Sequence, residues 1–500
     1  MFAILLGIAV LMLVVRLASL GSYPLMDTSE ARYGEIARVM LTTGNFVTPQ
    51  EIPGTPFWAK PPLYAWLSVA SIAILGTSEF ALRLPSLLCA IGVLALGWSW
   101  ARSVAAPLGE DGARRAAILV LAILTSSVLF FVSAGAVMTD PSLALCITAL
   151  LVAFHHAVIA GSRAPLWRWG FFVAAGLGML AKGPVILLYA GAPIFLWMIW
   201  TRRFMAVWRT LPWVQGTALA ALICVPWYLW AELRTPGFLQ YFLLGEHVMR
   251  FLKPGWGGDL YGTAHAEPTG MIWLYFAGGM GATFVLVVVA AAGGLRAQRS
   301  AAGKRFALAP ELVLPLLAVL VPLFFFTFAG NIIWTYILPA MGPLAVLLGV
   351  YFAPRMQAAA SWRALVLGAV GLGAASVAAA TIVWVPRHVA RHSSADLVAQ
   401  WRERAALAPG ELVCICRKAP ASLRFYTQGA VRTIGQMPEA LQGITPAHDR
   451  YLALAPAQVA ALQGLAAEQR PALAVQEIGR NEDLALLWLH AGAMPPTLGR

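Results

Sequence analysis

Charged residues are scarce in this chain, and the places where they gather mark where chemistry is expected. In MDTSEARYGEIARVMLTTGNFVTP, residues 26–49, Asp27, Glu30 and Arg32 stand within six positions. In GTPFWAKPPLYAW, residues 54–66, Lys60 sits between aromatic residues and a double proline, which fixes the backbone around it. Asp140 precedes Pro141 in VMTDPSLAL, and Lys182 interrupts two apolar runs in MLAKGPVILLY. A last run, residues 245–268, holds Glu246, His247, Arg250, Lys253, Asp259 and His265. Carboxylates so placed can take a proton from a nucleophile, and rigidly held cations can carry the charge of a departing phosphate. Tyr33, Tyr64 and Tyr336 are read with them as aromatic walls of a pocket. Each residue also has a plainer use: Asp27 and Glu30 as partners of a helix dipole, Asp140 as a helix cap, Lys60 and Lys182 as snorkelling anchors, Glu246 and Arg250 as an ordinary helical pair, Tyr336 as core. A divalent metal on Glu246, His247 and His265 is a further alternative, although the spacing matches no strong ligand pattern.

The elements that position these residues are membrane helices. The chain is 60% hydrophobic and 11% charged, with a mean hydropathy of +0.74, whereas soluble domains carry about 25% charged residues. Stretches 2–20, 82–101, 116–133, 210–231, 271–295 and 364–385 approach the roughly 20 apolar residues that a crossing helix needs. The first is expected to be a retained span, since no basic region precedes it. The formal charge of +13 lies in short loops rather than in a stripe, which argues against nucleic acid.

With the amino terminus inside, the loops holding Arg102, Arg114 and Arg115, then Arg202, Arg203 and Arg209, then Lys304 and Arg305, all fall on the positive-inside side. That assignment requires the short stretch 61–75 to lie at the interface. It gives eleven to thirteen helices in a mainly α polytopic domain over 1–385, with long outer loops at 21–75 and 232–270. Residues 386–500 turn polar, with short apolar runs at 412–415 and 484–489 alternating with helix-like 456–469, and read as a small outer α/β domain. Of the five cysteines, Cys414 and Cys416 stand one residue apart, and no disulfide framework is expected. Charge alone thus brings Asp27, Glu30, Lys60, Asp140, Lys182, Glu246 and His265 to one side of the membrane.

No Walker loop, dinucleotide fingerprint or serine–histidine–acid set stands in a fitting context. The order of motifs, from SEARYGEIARVM through FWAKPPLYAWL, GTSEFALRLPSLL, VMTDPSLAL, LAKGP and EHVMRF to TYILP, resembles bacterial glycosyltransferases of the protein O-mannosyltransferase superfamily, over about residues 1 to 355. The aminoarabinose transferases of lipid A are the nearest named group. The resemblance implies a C-type glycosyltransferase fold in the bacterial inner membrane, with active site and terminal domain periplasmic. It implies an undecaprenyl-phosphate sugar donor and a lipid, glycan or protein acceptor. It assigns Asp27 and Glu30 to the acidic pair of the first outer loop, Asp140 to the acid after the third span, and Lys60 and Arg32 to the donor phosphate; Lys182 and Arg250 are added to that phosphate set on charge. Two departures stand out: Ser29 directly precedes Glu30 while Asp27 lies two residues further back, and Ala59 occupies a glutamate position of the aminoarabinose transferases. A transporter of lipid-linked sugars is the rival reading, but it would favour repeated halves and mid-membrane charges.

Overall fold

The computed structural model describes residues 1–262, 265–300, 309–445 and 448–491. Lys304 and Arg305, expected in an inner loop, lie outside the described residues. Among the described residues eight helices are long and apolar enough to cross a bilayer. Gly109–Ser126 and Pro165–Lys182, of 18 residues each, and the shorter apolar helix Leu187–Thr201 stand beside them. The 13-residue helix Leu63–Leu75 spans only about 20 Å, short of a hydrocarbon core of about 30 Å. It packs on Ser29–Thr43 and on Glu79–Val104, in keeping with an interfacial position.

Burial sorts the helices by role. Asp140–Ile159 and Trp334–Ala358 are 72% and 78% buried over their apolar windows, against 28% for Phe2–Ser19. The two helices that begin at Asp140 and beside Tyr336 are therefore central, and a residue at the mouth of a central helix is held by packing on all sides. Ser29–Thr43 ends at Gly44, which takes the left-handed conformation with φ of +68°, as its sequence predicts. At its start Thr28 precedes the first turn, and no side chain caps it.

The last span runs without a break from Ala360 to Arg391, past the boundary expected at 386. Pro386 lies inside this run, two residues past the π-helical turn Ala380–Trp384. The terminal domain then forms a five-stranded mixed sheet from β3 (Gly410–Ile415), β4 (Arg432–Ile434), β5 (Asp449–Leu454), β6 (Ala474–Arg480) and β7 (Ala485–His490); β1 (Gln50–Ile52) and β2 (Thr55–Pro56) form a small hairpin in the first outer loop. The sheet order is β4-β3-β5-β7-β6, with β3 parallel to β4 and β5, and β7 antiparallel to β5 and β6. Alternate residues of β3, β5 and β7 feed two cores, one including the helix Val459–Gln469 and the other Ala395–Ala405. This explains why β7 is buried throughout. Contrary to expectation, Cys414, near the end of β3, and Cys416, in the bend just past it, form a disulfide, their Cα atoms 5.5 Å apart.

Candidate active site

Three cavities adjoin one another: a polar chamber, a second cavity beside it and an apolar groove beyond that. The chamber, about 490 Å³, is bounded by residues from the first outer loop, the mouth of Asp140–Ile159, the 250–275 segment and 332–336. Lys60, Lys182, Arg250 and Tyr336 form the wall it shares with a second cavity of about 270 Å³. Leu188, Phe251 and Phe325 in turn separate that cavity from an apolar surface groove that also holds Trp273 and Phe324.

The cations on the shared wall are locked. Lys60 Nζ lies 3.0 Å from Glu246 Oε2, and Arg250 Nη1 lies 3.1 Å from the same oxygen. Tyr241 donates its hydroxyl proton to Glu246 Oε1, and Asp259 approaches Arg250 at 3.6 Å. Burial by itself would lower the Lys60 pKa, but the Glu246 carboxylate overrides it and holds the ammonium above its usual value. Burial pushes Glu246 up, and Lys60 and Arg250 more than reverse that push. Both partners are therefore charged, and Arg250 Nε is buried with no hydrogen-bond partner among the described residues. Asn331 fixes the backbone beneath them, donating from Nδ2 to the carbonyl oxygens of Arg250 and Lys253.

Lys182 meets Asp140 at 2.6 Å and lies 4.9 Å from the centre of the Tyr336 ring. Its helix ends at once because Gly183 has a φ of +83° and touches Phe242 so closely that a Cβ would come within 2.6 Å of the ring. His247 places Nδ1 2.8 Å from the carbonyl oxygen of Phe242 and Nε2 3.3 Å from that of Lys182, and a neutral ring, with one N–H, donates to one of the two. Among the described residues no group of three or more His, Cys, Asp and Glu could hold a metal ion, so Glu246, His247 and His265 do not form a metal-ligating set. Glu246 and His247 line the second cavity, and His265 the chamber.

Burial lowers the His247 pKa, so the ring is neutral in the folded protein at a pH where it would take a proton when unfolded. A depressed value contributes stability above the ordinary pKa of about 6.5, and that stability is lost as pH falls through the folded value. We expect the thermal midpoint to drop more steeply below pH 6.5 in the wild type than in His247→Gln. Parallel curves would contradict this.

The acidic pair of the first outer loop is engaged elsewhere. Asp27 accepts hydrogen bonds from the backbone N–H of Ser422, at 3.0 Å, and from its hydroxyl, at the start of a helix of the terminal domain. Burial raises the Asp27 pKa against the lowering effect of those bonds. Glu30 is paired with the fully buried Arg83 at 2.8 Å and accepts the Val137 amide at 3.0 Å. Neither carboxylate borders the chamber; Thr28, Ser29, Arg32 and Tyr33 of this loop do. Tyr64 is likewise behind the wall, 1% exposed, with its hydroxyl 2.9 Å from Ser86 Oγ and its ring against Tyr33. Aromatic character in the sequence does not separate a wall from the core behind it.

Sequence reasoning passed over two further groups. Glu51 on β1 gathers Lys418 at 2.6 Å, Arg424, and Arg32 at 3.6 Å, and so ties the chamber wall to the terminal domain. No local pattern could reveal a contact across more than 360 residues. Arg83, by contrast, left a signal: a cation inside an apolar run needs a partner. Ser422→Ala should cost about 1–2 kcal/mol by leaving buried Asp27 short of a donor. Amide exchange in the helix Ala421–Tyr426 should then quicken by about tenfold; wild-type exchange would contradict the docking role.

Residues 1–242 match the family described as dolichyl-phosphate-mannose-protein mannosyltransferase. The chain is 29% identical over 375 residues to the undecaprenyl phosphate-alpha-4-amino-4-deoxy-L-arabinose arabinosyl transferase of Pseudomonas paraeruginosa, covering 74% of this chain and 63% of that protein. To the transferase of the same description from Aeromonas hydrophila it is 30% identical over 336 residues, 66% of this chain and 57% of the relative. It thus spans a little under two thirds of the length of these relatives. Its fold is similar to that of ArnT from Cupriavidus metallidurans in crystals bound to undecaprenyl phosphate, with a TM-score of 0.74 at 20% identity over 96% of this chain and 97% of the other, and in the apo state, with a TM-score of 0.70 over the same shares. The amino-terminal half thus carries the match to the mannosyltransferase family, and the chain is homologous to the undecaprenyl phosphate aminoarabinose arabinosyl transferases and shares the fold of ArnT.

Proposed function

We propose that the protein is an inverting glycosyltransferase that moves a sugar from an undecaprenyl-phosphate carrier to an acceptor, lipid A or another envelope glycan, on the periplasmic side of the bacterial inner membrane. The observation that carries this reading is the succession of an apolar groove, a cavity walled by Lys60 and Arg250, and a polar chamber, each adjoining the next. A lipid phosphate has the same sequence of parts. Its prenyl chain suits the groove, its phosphate the two cations, and its sugar the chamber. The names of the relatives support the carrier and a pentose-like sugar.

In this mechanism the donor phosphate lies against Lys60 and Arg250, with Tyr336 beside it, and Lys182, held by Asp140, closes the chamber wall. Arg32 borders the chamber on the other side. A direct displacement at the anomeric carbon passes the departing charge to these cations, which are already oriented when the substrate arrives. One displacement inverts the configuration. The same electrostatics disfavour a transporter, because the charges are grouped at one end of the bundle rather than at its middle.

The test is mass spectrometry of envelope glycolipids and glycans with and without the gene. Loss of a sugar mass from one class, restored by the wild-type protein, is the expected result. Unchanged glycans, together with altered sidedness of the lipid-linked sugar, would favour the transporter instead.

A further inference from the structure

We propose that Glu267 is the general base of the transfer and that the acceptor attacks through a hydroxyl group, an assignment that rests on the transferase reading above. Three carboxylates border the chamber among the described residues: Asp140, Asp259 and Glu267. Asp140 is in contact with the Lys182 ammonium at 2.6 Å. Asp259 faces Arg250 at 3.6 Å and spends its other oxygen on the Tyr261 amide at 2.9 Å. Both carboxylates are thus already engaged by a cation. Glu267 differs: Oε1 accepts a hydrogen bond of 2.7 Å from the neutral Tyr275 hydroxyl, and no described cation is within salt-bridge distance. That leaves Oε2 to receive a proton.

The backbone fixes this carboxylate relative to the phosphate-binding cations. Ala266 forms an antiparallel bridge with Asn331, and the Ile332 amide donates to the His265 carbonyl oxygen at 3.0 Å. The same Asn331 side chain holds the carbonyl oxygens of Arg250 and Lys253. One asparagine thus sets both the segment that carries Glu267 and the helix turn that carries Arg250. Tyr275, on the helix Met271–Met280, anchors the carboxylate from the bundle side. A base and a leaving-group site need such a fixed separation, with the sugar between them.

In the step, the proton of the acceptor hydroxyl passes to Glu267 Oε2 as its oxygen forms a bond to the anomeric carbon. The bond from that carbon to the phosphate oxygen breaks, and its electron pair leaves with the polyprenyl phosphate toward Lys60 and Arg250. A hydroxyl acceptor requires this proton transfer. A phosphate monoester arrives ionised and does not.

Two measurements on Glu267→Gln test the proposal, with the full chain in its own membranes: product formation in a gene-deleted strain by mass spectrometry, and retention of added undecaprenyl phosphate by the purified protein. Product formation should fall at least about 100-fold while retention stays unchanged. Glu267→Ala, assayed in membrane fractions, should recover part of its rate when formate is added, which a purely structural role would not allow. Transfer by Glu267→Gln within a few fold of wild type, lost retention of the carrier, or a product in which the sugar sits on a phosphate monoester would each overturn the assignment while leaving the transferase reading intact. Absence of transfer by the wild type would overturn both.

Discussion

Lys60→Ala is expected to slow sugar transfer by about 10²- to 10³-fold, equivalent to roughly 2–4 kcal/mol of barrier. The lysine is placed by a double proline behind it and by Glu246 in front of it, so its charge is aimed before the carrier arrives. Alanine removes that charge and also leaves Glu246, 3% exposed, with Arg250 as its remaining cationic partner. Both effects repel an incoming phosphate. Lys60→Arg should recover only part of the rate, because a planar guanidinium does not reproduce a compact ammonium flanked by Ala59 and Pro61. Initial rates of label transfer from a lipid-linked sugar in membrane vesicles, normalised to folded protein, make the comparison. Near-wild-type transfer by Lys60→Ala would remove the lysine from the mechanism.

The second large effect concerns stability. Arg83→Leu should destabilise the fold by about 3–5 kcal/mol, because it strands a buried carboxylate. Arg83 is 0% exposed and donates to Glu30 through Nε and Nη2, and to the carbonyl oxygens of Leu20, Tyr23 and Pro24 at 2.8 Å each. Burial would raise the Glu30 pKa, and the guanidinium reverses this and holds the carboxyl below its ordinary range. The pair therefore clamps the first outer loop to the helix Glu79–Val104. Glu30→Gln should follow the same pattern in milder form: a lower thermal midpoint in detergent, with transfer per folded molecule within several fold of wild type. Intact stability combined with a 100-fold loss of transfer would return Glu30 to the role of base.

These two pairs show which parts of the molecule were legible in the sequence. Of the seven residues that loop charge alone brings to one side, Lys60, Asp140, Lys182 and His265 border one chamber, while Asp27, Glu30 and Glu246 do not. Positive-inside bias and helix length act through the bilayer, a uniform environment, so they can be read without knowing any contact. The terminal α/β domain was legible for a similar reason, since its strands and helices carry their own periods. What a carboxylate does depends instead on its partner. Asp27 and Glu30 look equally catalytic by position, yet Ser422 lies 395 residues away and Arg83 lies in another helix. Glu267 had no motif at all; only the bridge between Ala266 and Asn331 brings it to the chamber.

The account rests on Lys60 and Arg250 forming the seat of a lipid-linked phosphate. Native mass spectrometry of the purified protein in nanodiscs, titrated with undecaprenyl phosphate, measures this directly. Wild type should retain the lipid, and Lys60→Ala and Arg250→Ala should each bind it at least about tenfold more weakly, a difference of about 1.4 kcal/mol or more. Equal retention by wild type and both variants would contradict the site and the function drawn from it.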